Sequence, residues 1–414
     1  FAGFDTQLTI AEPVLHSVHD RSPDRIDLHA GYNGAAVCTV FLMLFSMTAP
    51  WTLGVLGSKR SILLGSTLFT LNVVSFLYVH YIPYYLTAAG TGIGHVLFQS
   101  GVGAYTTEHS TARTIGRNSA LSYSLATSGL IFGGLSVLLT SHRSDTVLEL
   151  TNATSLASGM SYRQYSDAEI RLMYGAFAAL GIVANIIFAL MPTRAVEKSL
   201  AAVNDPTQRI RLSTQLKSVL STMTESRMLL SAPVFMFLGL ATSFWMSIYP
   251  ATLIYSKMLS EHDNLQAYFI IGLGVGEALM GAIVAVASKY IRSFAKMTTM
   301  TIGTLLFFTA MVLALLSTPF DASHTPTDAA TLWLEPSMQI SILIAVLLGM
   351  ADCALITSRT VLCSLLIPEK ISQVFCISKI HQVFPLASGT ILFLSSYISI
   401  PMHFALNLFF GIFA

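Results

Sequence analysis

The chain has 414 residues, of which 53% are hydrophobic and only 10% charged, with a mean hydropathy of +0.67 and a formal net charge of +1. Soluble domains carry roughly 25% charged residues, so most of this chain is composed for lipid rather than water. The near-zero charge and lack of a basic stripe argue against nucleic acid as a partner.

A span needs about 20 mostly apolar residues to cross the hydrocarbon core. Residues 1–16 read as the second half of one span. Runs of the right length follow at 30–53, 61–80, 83–107, 118–141, 172–191, 228–256, 264–288, 297–316 and 336–358. The last two are roughly 380–400 and a shortened 402–414. The total is twelve, two of them incomplete, and both ends of the chain read as trimmed. Within 92–134, two glycine-rich apolar runs flank a hydrophilic hinge, 108–118. Small residues of this kind let helix backbones approach where lipid supplies no hydrophobic force between helices.

Charge placement tests the count. With the loop around Asp20 set outside, the inner connections hold Lys59, Arg60, Arg113, Arg117, Arg194, Lys198, Arg209, Arg211, Lys217, Arg227, Lys289, Arg292, Lys296, Arg359, Lys370 and Lys379. That is sixteen of the 22 Lys and Arg. The excess follows the positive-inside rule and predicts cytosolic native termini. The one glycosylation sequon, Asn152-Ala153-Thr154, falls on the outer side. The membrane itself, plasma membrane or endomembrane, is left open.

Residues 194–227 form a seam with Pro206 and alternating charges. They divide the chain into an N-terminal six-helix bundle, 1–193, and a C-terminal one, 228–414. Within the seam, Ile210, Leu212, Leu216, Val219 and Leu220 share a face. They predict either an amphipathic helix on the inner leaflet or a partly helical linker. Two six-helix halves joined by a basic loop give the expected class, an all-α membrane protein of the twelve-transmembrane-helix major facilitator fold. Gly92-Ile93-Gly94-His95 aligns with Gly349-Met350-Ala351-Asp352, a trace of symmetry between the halves.

Three stretches carry a family likeness. They are AGYNGAAVCTVFLMLFSMTAPWTLGVLGSKRSILLGS, GAYTTEHSTARTIGRNSALSYSLATSGLIFGG and LLGMADCALITSRTVLCSLLIPEKISQVFCISKIHQV. They resemble the uncoordinated-ninety-three-like family of the major facilitator superfamily, especially its group of major facilitator superfamily domain-containing protein eleven. The resemblance implies an accessory subunit, since relatives are linked to regulation of a potassium channel or to trafficking of membrane receptors. Others in the family are orphans for which solute transport rests on the fold. The loop GVLGSKR keeps Gly54, Gly57, Lys59 and Arg60 of the usual gating signature but lacks its aspartate.

No nucleophile and base pair, phosphate loop or metal cluster is visible, so neither an enzyme nor a cofactor is expected. Cys38, Cys353, Cys363 and Cys376 lie in or beside apolar runs without zinc or redox spacing. Ionisable residues inside spans are the better signal, because a charge at mid-bilayer costs about 2.5–3.5 kcal/mol on the insertion scale. Asp352 is the leading candidate, either a proton or cation site or a carboxylate hydrogen-bonded within the bundle. Glu277 follows Gly272, Gly274 and Gly276. His95 is a candidate to pair with Asp352 across the halves. Asp5 and Glu12, seven apart, share a helical face. Lys379 reads as an anchor at the head of the eleventh span, and Glu108 as an inner ion pair with Arg113 or Arg117. Trp51, Trp245 and Trp333 read as interfacial belt residues. Two functions follow, a channel-regulating accessory protein or a secondary transporter, proton-coupled through Asp352, Glu277 and His95; a wet cavity around Asp352 that touches His95 or Glu277 points to the second. A sealed, hydrogen-bonded Asp352 points to the first.

Overall fold

The computed structural model describes residues 3–109, 122, 125–148, 165–193, 212–260, 262, 264–291, 297–367, 370–387 and 398–413. Each of the twelve apolar runs overlaps a helix among the described residues. The first half comprises α1 (Phe4–Arg21), α2 (Ala30–Ser46), α3 (Ala49–Leu56), α4 (Ser58–Ser75), α5 (Tyr81–Glu108), α6 (Gly129–Leu148) and α7 (Asp167–Leu190). Next come α8 (Leu212–Met223), α9 (Ser226–Ser243), α10 (Tyr249–Tyr255) and α11 (Lys257–Ser260). The chain continues through α12 (Leu265–Tyr290), α13 (Met297–Ser317), α14 (Met338–Leu366), α15 (Ile371–Ala387) and α16 (Ile400–Ile412). Among the described residues, six helices are long and apolar enough to cross a membrane, and the bent pair α2 and α3 makes a seventh.

Local chemistry explains the punctuation. Ser166 caps α7 by accepting from the Glu169 amide at 3.2 Å, while the Glu169 carboxylate accepts from the Ser166 amide at 2.7 Å. This reciprocal box satisfies donors that a helix start leaves orphaned. Between α2 and α3 the chain bends by 74°, with Pro50 opening the second piece. A π turn, Phe244–Ile248, joins α9 to α10. Pro250 lies just beyond it and cannot donate to the carbonyl four residues back, so the helix widens before it.

Packing divides inside from outside by residue. Phe76 stacks on Tyr174 with centroids 4.2 Å apart, and one apolar core runs through Phe177, Tyr249, Phe269 and Phe307. On α7, Ile182, Val183, Ile186, Ile187 and Leu190 stay exposed. Such a continuous apolar face is stable only against lipid tails or another protein. The halves meet where α2 packs on α15 and α6 packs on α12.

Three expectations change. The helix in the 380–400 run begins at Ile371, so Lys379 lies within α15 rather than at the head of a span. Arg359, taken as a loop cation, lies inside α14 with 7% exposure. Hydropathy marks polar residues as span ends, but these face the protein interior instead of lipid. Thirdly, α8 does form, yet it buries Gln215, Val219 and Thr222 against protein. Val219 joins Met228, Phe235, Cys363 and Val374 in a second apolar cluster, and Gln373 donates to Ser218 Oγ at 3.3 Å.

Candidate functional site

The centre of the molecule is set by a close helix crossing. A Cβ at Gly276 would collide with the Val346 carbonyl, and one at Gly349 with the Leu273 carbonyl. Only glycine allows α12 and α14 to touch backbone to backbone there. The crossing delivers Glu277 and Asp352 into one neighbourhood, 2% and 7% exposed respectively. Asp352 acts through space on Glu277, as does Asp5 from α1. Thr127 hydrogen-bonds Glu277.

Asp352 is held by a partner from a third helix. The Trp245 indole Nε1 donates to Asp352 Oδ1 at 2.9 Å, and both residues are buried. Trp245 lies in the π turn, whose extra residue re-aims the side chain inward. The expectation that Trp245 belongs to an interfacial belt is therefore corrected, whereas Trp51 and Trp333 are exposed. Trp245 was missed because tryptophan near a span end is read as a belt residue. Pro250, less than two helical turns beyond Trp245, was the available signal, since a proline inside an apolar run marks a disturbed helix.

Cations complete the seam. Lys379 on α15 lies deep, acted on by Asp352, Arg359 and Cys363. Arg359 Nη2 donates to Ser378 Oγ at 2.9 Å, next to Lys379 in sequence. Low-dielectric surroundings make each such charge costly unless opposite charge and hydrogen bonds surround it. Carboxylates from α1, α12 and α14 and cations from α14 and α15 share this region, with Asp352 acting on both Glu277 and Lys379. Asp5, His95 and Lys379 retain partial exposure. Chemically, the group can hold a proton or a cation, or can fix how the two halves dock.

His95 does not take its expected partner in the described contacts. Its ring packs edge-on against Phe4 and Phe69, with centroids 5.2 and 4.9 Å away. Glu12 sits away from the central seam, near the Arg21 end, and meets His29 Nδ1 at 3.0 Å and the Tyr32 amide at 3.0 Å. At the opposite end, Glu108 Oε2 accepts from Ser58 Oγ at 2.6 Å. Lys59 and Arg60 open α4 beside it, with Arg60 exposed. Arg113, Arg117 and Asn152 lie outside the described residues.

Several cross-half bonds were illegible in the sequence. Gln266 Nε2 donates to the Thr9 carbonyl at 2.9 Å, and the Tyr32 hydroxyl to the Ser323 carbonyl at 2.7 Å. Both tie the halves toward the Arg21 end. That end is also braced within the first half, where Arg21 and Arg25 reach Asp167 at 2.7 and 3.2 Å.

Helical bundles with a buried polar seam between two halves define an integral multi-pass membrane protein of the major facilitator fold. Solved structures agree on that fold. A transporter of the POT family in complex with 5-aminolevulinic acid superposes with a TM-score of 0.64 at 14% identity, covering 100% of this chain and 92% of that one. The xylose transporter XylE from E. coli, in a partially occluded inward-open conformation, gives 0.59 at 13% identity, covering 100% and 93%. The family model described as "Ion channel regulatory protein UNC-93" matches residues 22–414, and the chain belongs to that family. The UNC93-like protein MFSD11 of Xenopus laevis is 23% identical over 432 residues, covering all of this chain and 91% of the relative. The family's description is of a regulatory protein of ion channels rather than of an enzyme.

Proposed function

We propose that this chain regulates a separate membrane protein, an ion channel, and that its central charges serve docking of the two halves rather than solute passage. The observation that carries the reading is the state of Asp352, buried and held at 2.9 Å by Trp245. A carboxylate that couples transport must exchange with water, whereas this one is enclosed by an indole. The family description supports the same reading. In the orientation that the basic loops favour, the Lys59 end faces the cytosol and the Arg21 end the outside. Glu108, Ser58, Lys59 and Arg60 then form part of the cytosolic rim, and the charge pattern of the sequence assigns Arg113 and Arg117 to the same side. Asn152 is the glycan acceptor on the outer side.

The test is native purification. Cross-linked complexes isolated from native membranes should contain pore-forming channel subunits, and channel current measured with and without this chain should differ. Purification without any channel partner, repeated in several membranes, overturns the proposal.

A second reading is kept by a specific observation, the partial exposure of Asp5, His95 and Lys379 deep in the fold. Under that reading the protein is a secondary transporter. Reconstituted vesicles would then show solute or proton flux that Asp352→Asn abolishes.

A further inference from the structure

Beyond the central seam, the Arg21 end gathers a second set of ionisable side chains. Glu12 and His16 are one helical turn apart on α1, so they point the same way. His29, the residue before α2, completes the group. One ligand atom from each of the three lies within 4.8 Å of the others. Glu12 and His16 are buried, at 4% and 7% exposure, and His29 is partly so. Asp20 lies one more turn along α1, with its Oδ1 3.9 Å from His16 Nε2.

We propose that Glu12, His16 and His29 form a binding site for a divalent transition-metal ion, with Zn²⁺ the best match. Two imidazoles and a carboxylate are a ligand set that zinc accepts, leaving a fourth position for water or for Asp20. Calcium and magnesium take oxygen donors throughout, and Cu(I) prefers thiolate or thioether, so the donor chemistry disfavours all three. Ligands bound to zinc at about 2.0–2.1 Å stand roughly 3.3 Å apart, a short side-chain adjustment from the observed spacing. The orienting contacts that a metal ligand needs are present as well. The Tyr32 amide donates to Glu12 Oε2 at 3.0 Å, fixing the carboxylate. The backbone is equally constrained, since a Cβ at Gly31 would lie 2.6 Å from Glu12 Oε2.

The position gives the ion a consequence. The His16 ring packs edge-on to Tyr255 of the second half at 5.3 Å, and Tyr32 bonds the Ser323 carbonyl of that half. A metal joining α1 to the start of α2 therefore stiffens the pair at the place where the second half leans on it. Cysteine spacing, which gave no metal site in the sequence, cannot register this one, because its ligands are histidine and glutamate on two elements.

The experiment is a Zn²⁺ titration by calorimetry of tag-free, chelator-washed protein in detergent, with Co²⁺ absorption as a second readout. One equivalent should bind per chain and raise the melting temperature, and Co²⁺ should give a visible band of low-symmetry coordination. His16→Gln and His29→Gln should each weaken binding by roughly ten- to a hundredfold, on the scale of lost metal-site interactions. His262→Gln, an exposed histidine elsewhere, should leave affinity unchanged. Should His16→Gln fail to fold, the partly exposed His29 supplies the decisive variant. Absence of saturable binding in the parent chain, or parental affinity in His29→Gln, overturns the site. Neither outcome bears on channel regulation, which is measured separately.

Discussion

At the scale of single residues, Trp245 donates a buried hydrogen bond to the central carboxylate, Asp352. A buried acceptor stripped of its donor retains its desolvation cost, about 1–3 kcal/mol and more when charged. Trp245→Phe removes the Nε1–H that reaches Asp352 and keeps most of the ring. Its melting temperature in detergent should fall clearly below the parent, whereas Trp51→Phe, at an exposed site, should match the parent. His324 offers a second residue-scale prediction, from the loop between α13 and α14. Its burial holds its pKa below the usual 6.5, with Asp321 opposing that shift and His29 adding to it. The folded chain therefore favours neutral His324. Its contribution to stability is present above the unfolded value, near pH 6.5, and is lost as pH falls through that value toward the lower folded one. Melting temperature followed against pH should decline less steeply on acidification in His324→Gln than in the parent.

At the scale of elements, the crossing of α12 and α14 makes glycine indispensable. Gly349→Ala sets a Cβ against the Leu273 backbone, with Glu277 N 3.1 Å away. Overpacking of this kind costs typically about 1–3 kcal/mol and would push Glu277 away from Asp352. Thermal stability should drop in Gly349→Ala and stay level in Gly103→Ala, where a Cβ meets nothing within 4 Å. The same crossing shows what the sequence could and could not convey. Among the described residues, apolar runs located every helix long and apolar enough to span a membrane, because lipid demands a continuous stretch of side chains that need no water. Asp352 and Glu277 stood out for the same reason, as charges where lipid forbids them. Lys379 and Arg359 were misplaced because hydropathy averages around a helix and cannot tell which face is turned inward. The Trp245–Asp352 bond and the meeting of His29 with Glu12 were not legible, since each depends on separate elements coming together in space.

At the scale of the whole molecule, the two functional readings differ in whether the halves move. A transporter must rock one half against the other, while a regulatory scaffold needs only a fixed outer shape. The contact between α2 and α15 reports on this directly, for Cys376 Sγ donates to the Ser46 carbonyl at 3.0 Å. Ser46→Cys puts a second thiol beside a native one, across the boundary between halves. Mild oxidation should link positions 46 and 376, detected as a joined peptide by mass spectrometry and absent from Ser46→Cys paired with Cys376→Ser. With a scaffold, the linked protein should still co-purify with its channel and still alter its current. With a transporter, the link should stop flux, and its yield should change when a solute shifts the halves. Loss of channel binding on linking, restored by reductant, would mean that regulation itself runs through movement of one half against the other.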